Sequence, residues 1–204
     1  MAWRENLRGL YAVLDRPDAS LARALCRGGA KVIQVRLKNG SDAAILAAAG
    51  AAKDAGAMVV VNDRVDLALL SGADGVHLGQ GDLPIAEARA LSARHDRPLI
   101  IGASTHNADE VAAALSAGAD YLGFGPVFAT ATKANPDPVV GIAGLAAAVR
   151  QAHPTPVIAI GGVTAATAGA IFETGAHGAC AIAAVNHAAD PAAAAAAIAA
   201  AWSR

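Results

Sequence analysis

The sequence predicts an α/β fold of the (β/α)8, or TIM-barrel, kind, carried as one domain over residues 1–204. Three observations predict it. Short, mainly apolar runs alternate with helical stretches along the whole chain. A Gly-Ala pair recurs just ahead of such runs. The turn after the first run, Leu14-Asp15-Arg16-Pro17, lacks the Gly-rich fingerprint that open doubly wound sheets more often carry there.

The predicted strands are Leu10–Leu14, Lys31–Arg36, Met58–Val61, Gly75–Leu78, Leu99–Gly102, Tyr121–Phe124, Val157–Ile160 and Ala179–Ile182. Continuous apolar strands alternating with helices indicate a parallel sheet covered on its faces. The helical period shows in Ile85, Ala88 and Leu91, and again in Val111, Ala114 and Leu115. The pairs Gly29-Ala30, Gly56-Ala57, Gly72-Ala73, Gly118-Ala119 and Gly175-Ala176 read as helix stop followed by strand start, because Gly suits the left-handed position that ends a helix. At the other helix ends stand Asp18, Ser41, Asn62, Thr105, Asn107 and Thr164, expected as N-caps. Strand–helix units of roughly 25 residues are near the minimum for a closed barrel.

Composition narrows the function classes. Hydrophobic residues make up 55% of the 204, many of them Ala, which favours a compact core of small residues. The formal charge is −1, from 16 basic and 17 acidic residues, with no Lys/Arg block; no nucleic-acid partner is expected. An anion site must then be local. Cys26 and Cys180 have no metal-type spacing and form no disulfide framework; both are expected as small buried hydrophobes. Met1–Leu10 carries Arg4, Glu5 and Arg8 and does not read as a signal peptide. The Ala-rich tail Pro191–Trp202 is too short to span a bilayer, so a cytoplasmic protein with no membrane partner is expected. A homo-oligomer is compatible with the sequence.

Barrel chemistry sits where strands end and helices begin. Strand 2 ends in Gln34-Val35-Arg36-Leu37-Lys38, and alternation places Gln34, Arg36 and Lys38 on one face. Cations facing a barrel interior need an anionic partner. Strand 3 ends in Asn62-Asp63, and strand 4 leads to Asp82. Mg2+ is usually held by one or two carboxylates, waters and substrate phosphates, so Asp63 and Asp82 beside Arg36 and Lys38 suit a metal diphosphate. The alternative reading is that each Asp caps the helix that follows. Ser104, after strand 5, reads as a donor to phosphate or heterocycle, or as a cap. Strand 6 is followed by a connection far longer than the usual ~2–6 residues, carrying Thr130-Ala131-Thr132-Lys133. Two hydroxyls and a flexible cation suit a leaving phosphate. Gly161-Gly162 after strand 7, with the amides of Ile182 and Ala183 after strand 8, read as a phosphate cradle. His77 alone among the histidines is placed for catalysis, with a structural role beside Asp82 as the stronger reading; His95, His153, His177 and His187 read as solvated.

These strings resemble the thiamine phosphate synthase family over nearly the whole chain. They are Gln34-x-Arg36-x-Lys38, Asn62-Asp63-Arg64-x-Asp66, Gly75-Val76-His77-Leu78-Gly79-Gln80-x-Asp82 and Ile101-Gly102-x-Ser104-Thr105-His106. Asp120-Tyr121-Leu122-Gly123-x-Gly125-Pro126-Val127-Phe128, Thr130-x-Thr132-Lys133 and Ala159-Ile160-Gly161-Gly162 complete the set. The resemblance implies a transferase of thiamine biosynthesis that joins 4-amino-2-methyl-5-hydroxymethylpyrimidine diphosphate to hydroxyethylthiazole phosphate, releasing diphosphate. It implies that Gln34, Arg36, Lys38, Asn62, Ser104 and Lys133 hold the pyrimidine diphosphate, with Arg36, Lys38, Ser104 and Lys133 acting in catalysis. It further implies Mg2+ on Asp63 and Asp82, and thiazole phosphate on Thr130, Thr132, Gly162, Ile182 and Ala183.

Two departures stand out. Leu37 replaces the Glu common in the family, pointing away from its neighbours, and Ala183 replaces the common Ser, removing one hydroxyl from the thiazole phosphate. The competing readings are a thiazole tautomerase on the same fold, which uses a His and no diphosphate, a non-catalytic phosphate-ligand sensor, and an unrelated phosphate-binding isomerase barrel. Retention of Arg36, Lys38, Asp63, Asp82 and Thr-x-Thr-Lys favours the synthase over the tautomerase.

Overall fold

The structure, a computed structural model, describes residues 2–130 and 138–203. Chain order is α1 (Ala2–Asn6), β1 (Gly9–Leu14), α2 (Ala19–Arg27), β2 (Val32–Val35), α3 (Asp42–Asp54), β3 (Met58–Asn62), α4 (Val65–Ser71) and β4 (Gly75–Leu78). Then follow α5 (Ile85–Arg94), β5 (Ile100–Thr105), α6 (Ala108–Ser116), β6 (Tyr121–Phe124), α7 (Gly141–Ala152), β7 (Val157–Ile160), α8 (Ala165–Glu173), β8 (Gly178–Ala181), α9 (Ala183–Asn186) and α10 (Pro191–Ala199). A 3-10 turn, Ala200–Trp202, ends the order. All eight strands pair in parallel with their sequence neighbours, and β1 closes on β8 through Gly9↔Gly178 to Ala12↔Ala181. The closed (β/α)8 barrel is the predicted fold, and closure leaves no strand edge unpaired.

Strand alternation divides the apolar residues into two cores. Outward-facing Leu10, Ala12, Ile33, Val59, Val61 and Ile101 pack under the helices. Inward-facing Tyr11, Val13, Val32, Val60, Tyr121 and Ile158 fill the barrel. The Ala-rich helices suit this arrangement. In α3, Ala48, Ala49 and Ala52 are buried, so the helix approaches the sheet closely. Burying each larger aliphatic side chain contributes about 2 kcal/mol, and these contributions are distributed around the ring.

The helix boundaries follow their local chemistry. Asp18 accepts from the amides of Ser20 and Leu21, Ser41 from Ala44, and Asn107 from Glu110. At the opposite ends, the glycines of all five Gly-Ala pairs have positive φ, from 66° at Gly72 to 96° at Gly29.

Four expectations need correction. Asn62 is the last residue of β3 and not a cap, since Arg64 precedes α4. Thr105 ends β5 and donates to the Gly123 carbonyl at 3.1 Å instead of capping α6. β5 runs three residues past the predicted Gly102, so Ser104 is a strand residue, paired with Gly123 of β6. β8 ends at Ala181, leaving Ile182 outside it. In the last three cases pairing with the neighbouring strand, invisible in a single segment, overrode local composition.

Gly102 is required by packing. A Cβ there would collide with the Tyr121 ring and its hydroxyl. Gly102→Ala is therefore expected to cost about 1–3 kcal/mol by overpacking. The measurement is the urea midpoint at unchanged slope. An unshifted midpoint would mean that the Tyr121 ring has room to move.

Candidate functional site

The barrel mouth is built from the last residues of the strands. Inside it lies a row of hydrogen-bonded side chains from five strands. Gln34 Nε2 of β2 donates to the Tyr11 hydroxyl of β1 at 3.0 Å. Tyr11 and Tyr121 share a hydrogen bond of 2.9 Å between their hydroxyls. The Tyr121 hydroxyl meets His77 Nδ1 at 3.0 Å, and His77 Nε2 meets Ser104 Oγ at 3.0 Å. A small cavity against this row is lined by Tyr11, Gln34, His77, Ser104, Tyr121, Gly123, Ile158, Ile160 and Cys180. Burial pushes both tyrosine hydroxyls above their usual pKa, so they are neutral donors and acceptors. Burial likewise pushes the His77 imidazole down to about 4, with Arg36 adding to the effect and Asp82 opposing it. His77 is thus uncharged at neutral pH.

Charge gathers above the row. Arg36 lies just past β2, which ends at Val35 and not at the predicted Arg36, and its N–H donates to the Leu14 carbonyl at 2.9 Å. Its positive charge bears on Asp63, His77 and Cys180, which lie on three different strands or strand ends. Asp63 follows β3 in the left-handed region, φ 64°, and its N–H donates to the His77 carbonyl at 2.8 Å. Asp is one of the few non-glycine residues that tolerate this conformation. Asp63 is exposed as a residue, yet desolvation of its carboxyl is the largest cause that pushes its pKa up to about 6. The adjoining Asp82 carboxylate is the next cause, while Arg36 and the Asn62 side chain pull the other way. Asp82 is oriented by its own turn, with Oδ2 accepting from the Gly79 N–H at 2.7 Å.

Arg36, Asp63 and Asp82 are therefore brought together, with Gln34, Asn62 and Ser104 at the same mouth. Lys38 stands beyond β2 in the exposed loop before α3. Leu37 is partly buried against the outer core, away from the mouth. Thr130 is half-buried on the connection from β6 to α7, and Thr132 and Lys133 lie outside the described residues.

Gly161 and Gly162 both have positive φ, 95° and 65°. Side chains there would strike Pro126 and Phe128 of the connection after β6. Close approach of protein backbone accounts for these glycines, where the sequence suggested ligand approach. Ile182 precedes α9, and Ala183 is its exposed first residue.

Sequence reasoning missed Tyr11 and Tyr121 as site residues. The signal was available: a tyrosine facing a barrel interior needs a partner for its hydroxyl. His177 is also not solvated as expected, since its Nε2 lies 2.8 Å from the Arg4 carbonyl. A larger cleft at the opposite rim is bordered by Trp3, Asp74, Arg89, Arg97 and Asp120. Arg89 there is bound to Asp120 at 2.9 Å and to the Leu99 and Gly118 carbonyls. Among the described residues no three His, Cys, Asp or Glu side chains group as a metal cage, and no helix is long and apolar enough to cross a membrane.

A closed barrel with a guanidinium and two adjoining carboxylates over its mouth has the architecture of barrel enzymes that work at the C-terminal rim. The chain belongs to the thiamine monophosphate synthase family, whose model matches residues 10–185. It is 48% identical over 147 residues to a thiamine-phosphate synthase of Anaeromyxobacter dehalogenans, covering 70% of this chain and 65%, just under two thirds, of that relative. A thiamine-phosphate synthase of Laribacter hongkongensis is 43% identical over 192 residues, 91% of this chain and 85% of the relative. The solved thiamine phosphate pyrophosphorylase of Pyrococcus furiosus superposes with a TM-score of 0.86 at 34% identity, covering 98% of this chain and 97% of that one.

The Asp63 carboxyl gives a pH test. Its folded pKa is raised, so ionisation costs stability, and the cost grows as pH rises from the usual carboxylate range through about 6. Asp63→Asn mimics the protonated form. Thermal unfolding of the ligand-free protein should show a gain for this variant at pH 8 that shrinks toward pH 4. A gain of equal size at both pH values would mean that the Asp63 carboxyl is not raised in the folded protein.

Proposed function

We propose that this chain joins 4-amino-2-methyl-5-hydroxymethylpyrimidine diphosphate to hydroxyethylthiazole phosphate, giving thiamine phosphate and diphosphate. The observation that carries the reading is Arg36 set with Asp63 and Asp82 above a small, largely enclosed mouth. In the reaction the bond from the pyrimidine methylene to the diphosphate oxygen breaks, and the diphosphate leaves with the electron pair. The thiazole nitrogen then forms the new bond to that methylene.

Such chemistry asks the protein for charge stabilisation and positioning, and no nucleophile is needed. Arg36 meets the developing negative charge, with Lys38 and Lys133 as further cations. Gln34, Asn62 and Ser104 orient the pyrimidine. Thr130, Thr132 and the backbone at Gly162, Ile182 and Ala183 hold the thiazole phosphate. Asp63 and Asp82 fit Mg2+. They are hard oxygen donors; burial and then the adjoining Asp82 carboxylate raise the Asp63 pKa, and a cation would relieve the repulsion between the two. Bound there, Mg2+ would neutralise charge on the diphosphate. A tautomerase would need neither the rim cations nor the paired carboxylates.

The direct test is a coupled assay for thiamine phosphate with each substrate omitted in turn. Product only with both substrates and Mg2+ supports the reading, and no diphosphate release from the full mixture overturns it. Lys133→Ala should lower kcat by one or more orders of magnitude, since a leaving-group contact acts in the transition state. A change confined to KM would contradict that role. Ala183→Ser should tighten thiazole phosphate binding by about 1 kcal/mol, one net hydrogen bond. An unchanged or higher KM would count against Ala183 lying in that subsite.

A further inference from the structure

The row of side chains across the barrel mouth has a direction. Each tyrosine hydroxyl has one proton to give, and a neutral imidazole has one N–H and one bare nitrogen. Gln34 Nε2 donates to Tyr11 at 3.0 Å, so the Tyr11 proton passes to the Tyr121 oxygen 2.9 Å away. Tyr121 then donates to His77 Nδ1 at 3.0 Å. With Nδ1 accepting, the imidazole keeps its proton on Nε2 and donates to Ser104 Oγ at 3.0 Å. The Ser104 proton is left for whatever lies above it.

The opposite direction is poorer. If Tyr121 donated to Tyr11, the Tyr11 oxygen would accept from both Tyr121 and Gln34, and its own proton would have no partner along the row. Tyr11 is 2% exposed, where an unmatched hydroxyl is costly. The seat of the row is also shaped for it. Gly102 leaves space for the Tyr121 ring, and a Cβ at Gly123 would stand 3.1 Å from His77 Cε1 and 3.3 Å from Nε2.

We propose that Tyr121 is a positioning residue: it holds His77 as the Nε2–H tautomer, so that Ser104 meets the substrate as a hydrogen-bond donor. Resting on the synthase reading, the group that Ser104 meets is an acceptor atom of the aminopyrimidine substrate. Tyr121 is 1% exposed and acts through His77.

Imidazole 15N shifts of the unliganded protein, assigned through the backbone, read the tautomer without any turnover. His77 should show a protonated Nε2 and a bare Nδ1, and Tyr121→Phe should turn it into a mixture. Steady-state kinetics supply the second arm. Tyr121→Phe should lower kcat/KM for the pyrimidine diphosphate about tenfold, the scale of one lost polar contact, and leave the KM for thiazole phosphate within about twofold. Ser104→Ala should lose a similar factor, and the double variant no more than Ser104→Ala alone, because both changes remove one contact. A wild-type His77 protonated on Nδ1, or losses that multiply in the double variant, overturns the proposal. If Tyr121→Phe does not fold, the wild-type tautomer still decides. If the wild type makes no thiamine phosphate, the synthase reading fails while the tautomer measurement still tests the role of Tyr121.

Discussion

Parallel pairing of β1 with β8 closes the barrel, and closure puts the C-terminal ends of all eight strands on one rim. Arg36, Asp63 and Asp82 are far apart in sequence and follow three consecutive strands. Without closure and a fixed register their charges would sit in water, screened and independent. At the closed mouth, desolvation of the Asp63 carboxyl and then the adjoining Asp82 carboxylate push its pKa up to about 6, against the pull of Arg36. The same enclosure keeps His77 neutral.

The polar row inside the otherwise apolar barrel is fully satisfied. Tyr11, Tyr121 and His77 are buried, and each of their polar atoms in the mouth has a partner. A partly matched row would be worse than an apolar core, and a fully matched one specifies a single arrangement. Gly102 and Gly123 supply the space that the two rings need. These two strand glycines therefore serve side-chain packing, and Gly161 and Gly162 serve contact with the connection after β6.

Much of this was legible in the sequence. Period and Gly-Ala punctuation gave the order of elements, and the positions of Gln34, Arg36, Asn62, Asp63 and Asp82 at strand ends followed from it. The position of Ser104 did not, because β5 is extended by pairing with β6, a non-local effect. Tyr11 and Tyr121 read as core, since a tyrosine in an apolar run looks like any large hydrophobe until its hydroxyl partner is known. Asn62 and Thr105 looked like caps because they have the right chemistry shortly ahead of α4 and α6. The backbone turn at Asp63 and the strand ladder at Thr105 used them otherwise.

The central claim is that Arg36, Asp63 and Asp82 together recognise a magnesium diphosphate. Calorimetric titration of the protein with inorganic diphosphate tests it most directly, with Mg2+ present and again with a chelator. Binding that needs Mg2+ and is lost in Arg36→Ala is the predicted result. Equal affinity with and without the metal, or an affinity unmoved by Arg36→Ala, would contradict it.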